Sequence, residues 1–359
     1  MPRAFLQFCL SGFAIILTAC SAGEVNESCE PMGPITPVCG AIMPEDLEPL
    51  APNGGILVSE YGDGGKTSGA LSWLNPASER PFARLVDSAS VTQHSNDENW
   101  GDPACTPPPT LSPHGIHLQQ RADKEQLLVV NHSDKEQVLF YEVIRSAAPN
   151  DAPELQWRGC VTFPEYAVLN DVAALPDGGF AVTHMYDRTI SGIAEIGSML
   201  GINKGHVWRW TPGSEPRVIE GSEARMPNGI EVAADGKSLW VNNYIEQELR
   251  QFDVSSEKIL SRIEVPNIDN SAWLPDGRLL LASHVSPISM SSCFGLEKGS
   301  CGSPYELIAV DTQTGKATTL YTSAKGEPFG PATVAVPYQG KLYAGSFSGD
   351  RVAAIDIPF

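Results

Sequence analysis

One short unit recurs six times along this chain of 359 residues, and it constrains the fold more than any other feature. Each unit is a polar turn followed by a run of Val, Ile, Leu and aromatic residues, which is typical of a β-hairpin. The turns lie at 52–55, 123–126, 176–179, 234–237, 275–278 and 338–341. Their spacing of about 40 to 70 residues exceeds one hairpin and fits a four-stranded sheet with loops of variable length.

Six such sheets arranged around an axis form a six-bladed β-propeller, which we predict as a single all-β domain over residues 41–359. Two stacked β-sandwiches would also supply many short strands, but they do not predict six equivalent hairpins. The segment 188–205 departs from the pattern, because its Ile, Met and Leu residues recur at helical spacing. We predict a short helical insertion there, either packed on the rim or forming a lid over the centre.

The N-terminus predicts export. Residues 1–3 form a short start that carries the basic Arg3. Residues 4–17 are mostly apolar, and this run is shorter than the ~20 residues of a membrane-spanning helix and fits a signal peptide. The segment ends in Leu-Thr-Ala-Cys, which is typical of a bacterial lipoprotein, in which the thiol of Cys20 is acylated. We predict a lipoprotein signal peptide at 1–19 and a flexible tether at 20–40. The lipid would hold the protein at a membrane, on the periplasmic face or the cell surface. A plain secretory signal with a chance cysteine is the alternative.

An even number of cysteines remains once the leader is removed and Cys20 is acylated, which indicates disulfides in an exported chain. Cys293 and Cys301 flank a single loop and form the predicted pair. Two further candidate pairs are Cys29 with Cys39 and Cys105 with Cys160. A structural zinc site is not expected, because no CxxC pair occurs in the sequence.

The formal net charge of −19 is spread thinly along the chain rather than in runs. A nucleic-acid surface is excluded, because Lys and Arg would have to neutralise phosphates. No protein partner is evident. The acidic balance suits a chain that collects cations through oxygen ligands.

Asn, Asp and Glu residues stand at the same point of the repeat, just before four of the turn units, although Asn and Asp are poor strand residues. Radial symmetry would bring them to one axis. Their oxygens suit Ca²⁺, which takes about six to eight oxygen ligands. The candidate ligands are Glu45, Asn170, Asn228, Asp269 and Asn270. The alternative is that these residues only cap turns.

Two histidines belong to the second unit. His114 precedes its first strand and should face the axis, and His132 ends the neighbouring strand, close enough to share a proton. Such a pair can take a proton from water. His184 and His284 end matching strands of the third and fifth units and are candidates for lining a substrate pocket. The alternative is that these histidines are buried polar groups with satisfied hydrogen bonds. A serine hydrolase lacks support, because no Gly-x-Ser-x-Gly elbow occurs.

Six motifs make the chain resemble the paraoxonase family of calcium-dependent lactonases and arylesterases. They are PEDLE at 44–48, SPHGI at 112–116, VNH at 130–132, LNDV at 169–172, NGI at 228–230 and DN at 269–270, in the family's order. The resemblance covers nearly all of 45–359. It implies two calcium ions, a catalytic ion held by the five candidate ligands and a structural ion held by Asp46, Asp171 and the carbonyl of Ile116. It also implies that His114 is the general base toward water, that His132 shuttles its proton, and that the two later histidines lie in the substrate pocket.

The chain also departs from the family. It has no cysteine after Cys301, so the family's disulfide to the C-terminus cannot form and strand pairing alone must close the ring. The family's N-terminal helix is replaced by the Cys20 motif. The resemblance predicts a calcium-dependent hydrolase of lactones or aryl esters, with its substrate preference open. The alternatives are a gluconolactonase-like sugar lactonase and a non-catalytic, strictosidine-synthase-like propeller that acts as a surface binding module.

Overall fold

The computed structural model describes residues 25–62, 67–87, 100–148, 151–188, 197–198, 200–286, 290, 292–324 and 326–359. Over these ranges, 24 strands form six separate four-stranded antiparallel sheets. The first strands of neighbouring sheets contact one another in a closed ring. This arrangement is a six-bladed β-propeller, and it confirms the predicted fold class.

The strands follow chain order within each blade. Blade 1 contains β2 (Pro44–Pro49), β3 (Ile56–Glu60), β4 (Ala70–Leu74) and β5 (Phe82–Asp87). Blade 2 contains β6 (Pro113–Arg121), β7 (Lys124–His132), β8 (Glu136–Ile144) and β9 (Glu154–Thr162). Blade 3 contains β10 (Leu169–Ala174), β11 (Phe180–His184), β12 (His206–Trp210) and β13 (Arg217–Val218). Blade 4 contains β14 (Pro227–Val232), β15 (Ser238–Asn243), β16 (Glu248–Asp253) and β17 (Ile259–Glu264). Blade 5 contains β18 (Ile268–Trp273), β19 (Leu279–His284), β20 (Tyr305–Asp311) and β21 (Lys316–Thr322). Blade 6 contains β22 (Val334–Tyr338), β23 (Lys341–Gly345), β24 (Arg351–Ile355) and, at its outer edge, β1 (Ile35–Cys39).

All six turn units join the innermost strand of a blade to its second strand. The hydrophobic core lies between blades rather than at the centre of the ring. Between blades 2 and 3, for example, the Phe180 and Trp210 rings stack with centroids 5.4 Å apart, and Phe140 lies 5.9 Å from Phe180. Because large buried side chains fill the space between sheets, the apolar packing holds the blades in place and leaves the central channel to polar residues.

The ring closes through strand pairing, as expected. β1 pairs antiparallel with β24, in a register that runs from Ile35 opposite Ile355 to Cys39 opposite Arg351. The propeller therefore begins before residue 41, and residues 35–39 of the segment assigned to the tether form a strand. The composition of this segment did not predict a strand. A short run between Pro and Gly residues becomes a strand only when the edge of a neighbouring strand is available for pairing.

Three disulfides join Cys29 with Cys39, Cys105 with Cys160 and Cys293 with Cys301. The predicted pair and both candidate pairs are therefore present. The first disulfide ties the chain that precedes β1 to the end of that strand. Three disulfides are typical of an exported protein rather than one that folds in a reducing compartment.

Some predicted features lie outside the described residues. These are the signal peptide at 1–19, Cys20, and residues 189–196 and 199 of the predicted helical insertion. Within that insertion, the described residues Gly197 and Ser198 have helical backbone. Across the described ranges, no helix is long and apolar enough to cross a membrane.

Candidate active site

Five inner strands present their candidate residues at the same end of the channel. In each strand the candidate is the second residue. These residues are Glu45 on β2, His114 on β6, Asn170 on β10, Asn228 on β14 and Asp269 on β18. The sixth inner strand, β22, has no such residue and begins after Thr333, whose hydroxyl donates to the carbonyl of Glu45 at 2.6 Å.

A β-bulge or similar irregularity stands at each of these five positions. The pairing register shifts within the first residues of β2, β6, β10, β14 and β18, whereas β22 pairs regularly with its neighbour. A bulge re-aims side chains and is common beside active sites. The inner strands of blades 2 and 3 also approach each other closely at Gly115. A Cβ atom there would lie 2.3 Å from a carboxylate oxygen of Asp171, so this position requires glycine.

Four of the five candidate calcium ligands have a buried side-chain oxygen for which no hydrogen-bond partner exists among the described residues. These oxygens are Glu45 Oε2, Asn170 Oδ1, Asn228 Oδ1 and Asn270 Oδ1. The amide groups of the asparagines are engaged elsewhere. Asn270 Nδ2 donates to Glu45 Oε1 at 2.9 Å, and Asn170 Nδ2 contacts the sulfur of Met185 at 3.4 Å. A buried oxygen without a donor is costly, so this set fits a cation that would satisfy all four.

The carboxyl groups at the centre are held away from their ordinary titration range. Burial raises the pKa of Glu45 well above its usual value, and the nearby charges of Asp46, Asp269 and Asp171 act in the same direction. Burial also raises the pKa of Asp269 to about 8, against a hydrogen bond from Asn228 that lowers it. A divalent cation would relieve this repulsion.

The second predicted ion has weaker support. Asp46 accepts hydrogen bonds from the backbone N–H groups of Leu47 at 2.8 Å and Ile116 at 2.7 Å. Asp171 accepts from Val172 at 2.7 Å and Ile230 at 2.8 Å. The bond from Ile116 joins blade 1 to blade 2, and the bond from Ile230 joins blade 3 to blade 4. Each carboxylate oxygen therefore already has a donor, and this set leaves no oxygen that requires an ion.

Within the described ranges, no group of three or more His, Cys, Asp and Glu side chains is arranged to hold a metal ion. The candidate calcium set is not of that kind, because three of its five members are asparagines. Amide oxygens are ligands for hard cations and poor ligands for zinc.

His114 and His132 lie side by side at this end of the channel. His114 Nδ1 and His132 Nε2 are 3.0 Å apart, and His114 Nε2 lies 3.5 Å from Glu45 Oε1. Burial lowers the pKa of His114 well below its usual value, His132 lowers it further, and the carbonyl of Leu169 opposes both effects. The lowered pKa leaves the imidazole of His114 neutral, although it also makes the ring a weaker base.

Two residues that contact the His114–His132 pair were not predicted from the sequence. Glu136 begins β8 directly opposite His132, and its carboxylate contacts the ring of His132. Tyr61, just after β3, packs on the ring of His114. The signal for Glu136 is present in the sequence, because an acidic residue four positions after His132, across a tight hairpin, faces it. No comparable signal identifies Tyr61, which comes from another blade.

The two later histidines are buried and hydrogen-bonded. His284 Nε2 donates to the carbonyl of Ala332 at 2.9 Å, its Nδ1 lies 3.0 Å from the hydroxyl of Tyr244, and it is 3.5 Å from Asp269. His184 Nδ1 accepts from the N–H of Val168 at 3.1 Å. Both stand at the same end of the channel as the candidate ligands, and their role in a substrate pocket stays a prediction.

The sequence model of the arylesterase family matches residues 103–350. The chain belongs to the arylesterase family. This confirms the resemblance inferred from the motifs, and it indicates a hydrolase of the ester- or lactone-cleaving type. The matched range contains both histidines of the pair and four of the five candidate ligands. Glu45 lies before it. No curated protein matches the sequence.

Solved structures resemble this chain in fold at low sequence identity. A gluconolactonase from Xanthomonas campestris is 14% identical with a TM-score of 0.53, over 95% of this chain and 96% of that one. A luciferin-regenerating enzyme is 13% identical with a TM-score of 0.51, over 90% and 95%. Regucalcin from Agrobacterium tumefaciens, a calcium-binding protein, is 12% identical with a TM-score of 0.50, over 94% of each chain. At these identities the likeness supports the propeller fold alone.

Proposed function

We propose that this chain is a calcium-dependent hydrolase that opens lactones or cleaves aryl esters at the end of the channel where His114 and His132 lie. The observation that carries the proposal is the set of four buried oxygens, from Glu45, Asn170, Asn228 and Asn270, that have no hydrogen-bond partner within the described ranges. They come from four blades, and His114 Nε2 lies 3.5 Å from the other carboxylate oxygen of Glu45, Oε1. Membership in the arylesterase family supports the reaction class.

The residues that would hold the ion are Glu45, Asn170, Asn228, Asp269 and Asn270. When bound, Ca²⁺ supplies a Lewis acid that polarises a carbonyl group and offsets the charge that develops on its oxygen. The mixture of two carboxyl and three amide side chains favours calcium over a transition metal. A second ion at Asp46 and Asp171 remains a separate prediction that metal content would test.

The chain's own residues supply the base. His114 Nε2 points away from His132 and toward Glu45, so it is the ring nitrogen available to a water in the channel. It would accept a proton as that water attacks the carbonyl carbon of the ester. The product is a carboxylate with an alcohol, or a hydroxy acid when the substrate is a lactone.

The test is turnover of phenyl acetate by purified protein, before and after calcium is removed with EGTA, with metal content measured on the same samples. We expect activity to be lost with calcium and restored when calcium alone is added. Activity that persists in metal-free protein would contradict the calcium requirement. Aliphatic, acyl-homoserine and sugar lactones assayed in parallel would separate the paraoxonase-like function from the sugar lactonase alternative. A propeller that binds without catalysis would hydrolyse none of them.

We also propose that the mature protein is a lipoprotein that is exported and anchored at a membrane through Cys20. The three disulfides support export. The motif that ends in Cys20 supports lipid attachment, and the ester or lactone substrate would then be met outside the cytoplasm.

A further inference from the structure

Glu136 is a buried carboxylate whose position in the site has no counterpart among the sequence predictions. Its side chain is only 2% exposed, and it begins β8 directly opposite His132 on β7. Both of its oxygens face one ring nitrogen, with Oε1 3.0 Å and Oε2 2.9 Å from His132 Nδ1. A carboxylate this deeply buried destabilises the fold unless strong partners satisfy it.

Two further contacts hold the Glu136 carboxylate from other directions. Oε2 accepts a hydrogen bond of 3.1 Å from the backbone N–H of Leu169, which begins the inner strand of the next blade. Oε1 pairs with the guanidinium of Arg188, a half-exposed residue. Burial alone would raise the pKa of Glu136, but His132, Arg188 and Leu169 together outweigh it and lower the pKa. The group is therefore an ionised carboxylate.

The protonation pattern of both histidines follows from this contact. An ionised carboxylate only accepts hydrogen bonds, so the hydrogen between Glu136 and His132 must belong to His132 Nδ1. In a neutral imidazole Nε2 then carries a lone pair. His132 Nε2 is 3.0 Å from His114 Nδ1, so while the His132 ring is neutral the hydrogen of that contact belongs to His114 Nδ1. His114 Nε2 is left with a lone pair that faces the channel.

We propose that Glu136 is a positioning residue that fixes the tautomer of His132 and, through it, leaves the lone pair of His114 Nε2 facing the channel. This inference rests on the proposed function, in which His114 accepts a proton from water. When Nε2 of His114 takes that proton, the hydrogen on its Nδ1 passes to Nε2 of His132. His114 is again neutral, and the positive charge rests on His132 beside the carboxylate of Glu136. His114 gains one proton from water and passes another to His132. The added positive charge therefore lies on His132, next to the negative carboxylate of Glu136.

The first test reads tautomers directly and does not depend on turnover. Protein labelled with ¹⁵N in its 7 histidines gives ring-nitrogen shifts that distinguish protonated from unprotonated nitrogen, and a His132→Gln variant assigns the His132 signals. We expect His132 to be protonated at Nδ1 and unprotonated at Nε2. In Glu136→Gln this preference should be lost, because the amide can donate to Nδ1 as well as accept from it. An unchanged pattern in that variant, or an unprotonated Nδ1 in the wild type, would overturn the proposal.

The second test measures phenyl acetate kinetics. We expect Glu136→Gln to lower kcat by about 100-fold or more, within the range for general acid–base catalysis, with KM and calcium content close to wild type. Glu136→Asp should recover part of kcat, because it keeps a charged acceptor. The matched control is Glu142→Gln on the same strand, whose carboxylate pairs with Lys124 at 2.9 Å away from the site and should leave kcat unchanged.

The two tests fail in different ways. If the wild type showed no esterase or lactonase activity, the proposed function would fail while the ¹⁵N spectrum still decided the tautomer. If kcat, calcium content and melting temperature fell together in Glu136→Gln and Glu136→Asp alike, the residue would be structural, and the positioning role would be wrong. A fall in kcat alone, with a partial recovery in the Asp variant, supports it.

Discussion

Tyr61 and His114 pack ring against ring at the end of the central channel, with centroids 4.6 Å apart and planes inclined by 31°. The tyrosine comes from blade 1 and the histidine from blade 2. Tyr61 also meets His132 edge-on, with centroids 5.8 Å apart. The ring of Tyr61 therefore limits how far either imidazole can rotate away from the geometry that joins them.

Replacing Tyr61 with Ala should lower kcat for phenyl acetate by up to about 10-fold, because aromatic pairs of this kind contribute ~0.5–1.5 kcal/mol. Tyr61→Phe keeps the ring and should retain most of the activity. Steady-state kinetics on the two variants checks this. A Phe variant as impaired as the Ala variant would show that the hydroxyl, rather than the ring, matters.

The Asn170→Leu variant tests whether Asn170 is a calcium ligand or a structural amide. The leucine removes an oxygen that has no hydrogen-bond partner in the described part of the chain, and among those residues it disturbs a 3.4 Å contact to Met185. We expect the metal-free variant to be about as stable as metal-free wild type, since removing an unpaired buried polar group costs little. The increase in melting temperature on adding calcium should shrink, because stabilisation by a ligand follows its affinity.

Differential scanning calorimetry with and without calcium measures both quantities for Asn170→Leu. A variant that loses stability in the metal-free state and keeps the full calcium response would show that Asn170 is structural and not a ligand.

The metal-free protein should lose stability as the pH rises. Burial raises the folded-state pKa of Asp269 to about 8 and that of Asp46 to about 7, above the ~4 of an Asp in the unfolded chain. The folded state then binds protons that the unfolded state has released, so the stabilising effect is complete below about pH 4 and is lost as the pH rises through about 7 to 8.

Denaturant unfolding of chelator-free, metal-free protein between pH 5 and pH 8 checks this slope. We expect calcium to reduce it, because the ion stabilises the ionised carboxylates, so the gain in stability from calcium should be larger at pH 8 than at pH 5. A calcium effect that is independent of pH would contradict a role for Asp269 at the ion.

Lipid attachment at Cys20 predicts that wild-type protein expressed in bacteria incorporates an alkyne-tagged fatty acid and sediments with membranes. Cys20→Ala should carry no label, because the acylated thiol is absent. Cys9→Ala, within the same leader, is the matched control and should be labelled like wild type. Label that persists in Cys20→Ala would place the lipid elsewhere or point to a plain secretory signal.

The sequence by itself determined the architecture and the positions of the candidate ligands. Six turn units with β-rich runs specify hairpins through local chemistry, and a repeated hairpin has few ways to bury both faces of its sheet other than in a ring of blades. The same repeat placed Asn170, Asn228 and Asp269 at equivalent strand starts, so their convergence followed from symmetry. The Cys293–Cys301 disulfide could be predicted from the sequence because only a short loop separates the two cysteines.

Only the tertiary structure decided which groups are left without partners and which groups touch. The bulges at five inner strands, the contact of Tyr61 with His114 and the donors that occupy Asp46 and Asp171 all depend on neighbouring blades. Strand β1 likewise exists as part of the propeller because β24, more than 300 residues later, offers it an edge. Local sequence carries no information about such partners, since hydrogen bonds and ring contacts between blades form only once the whole ring has closed.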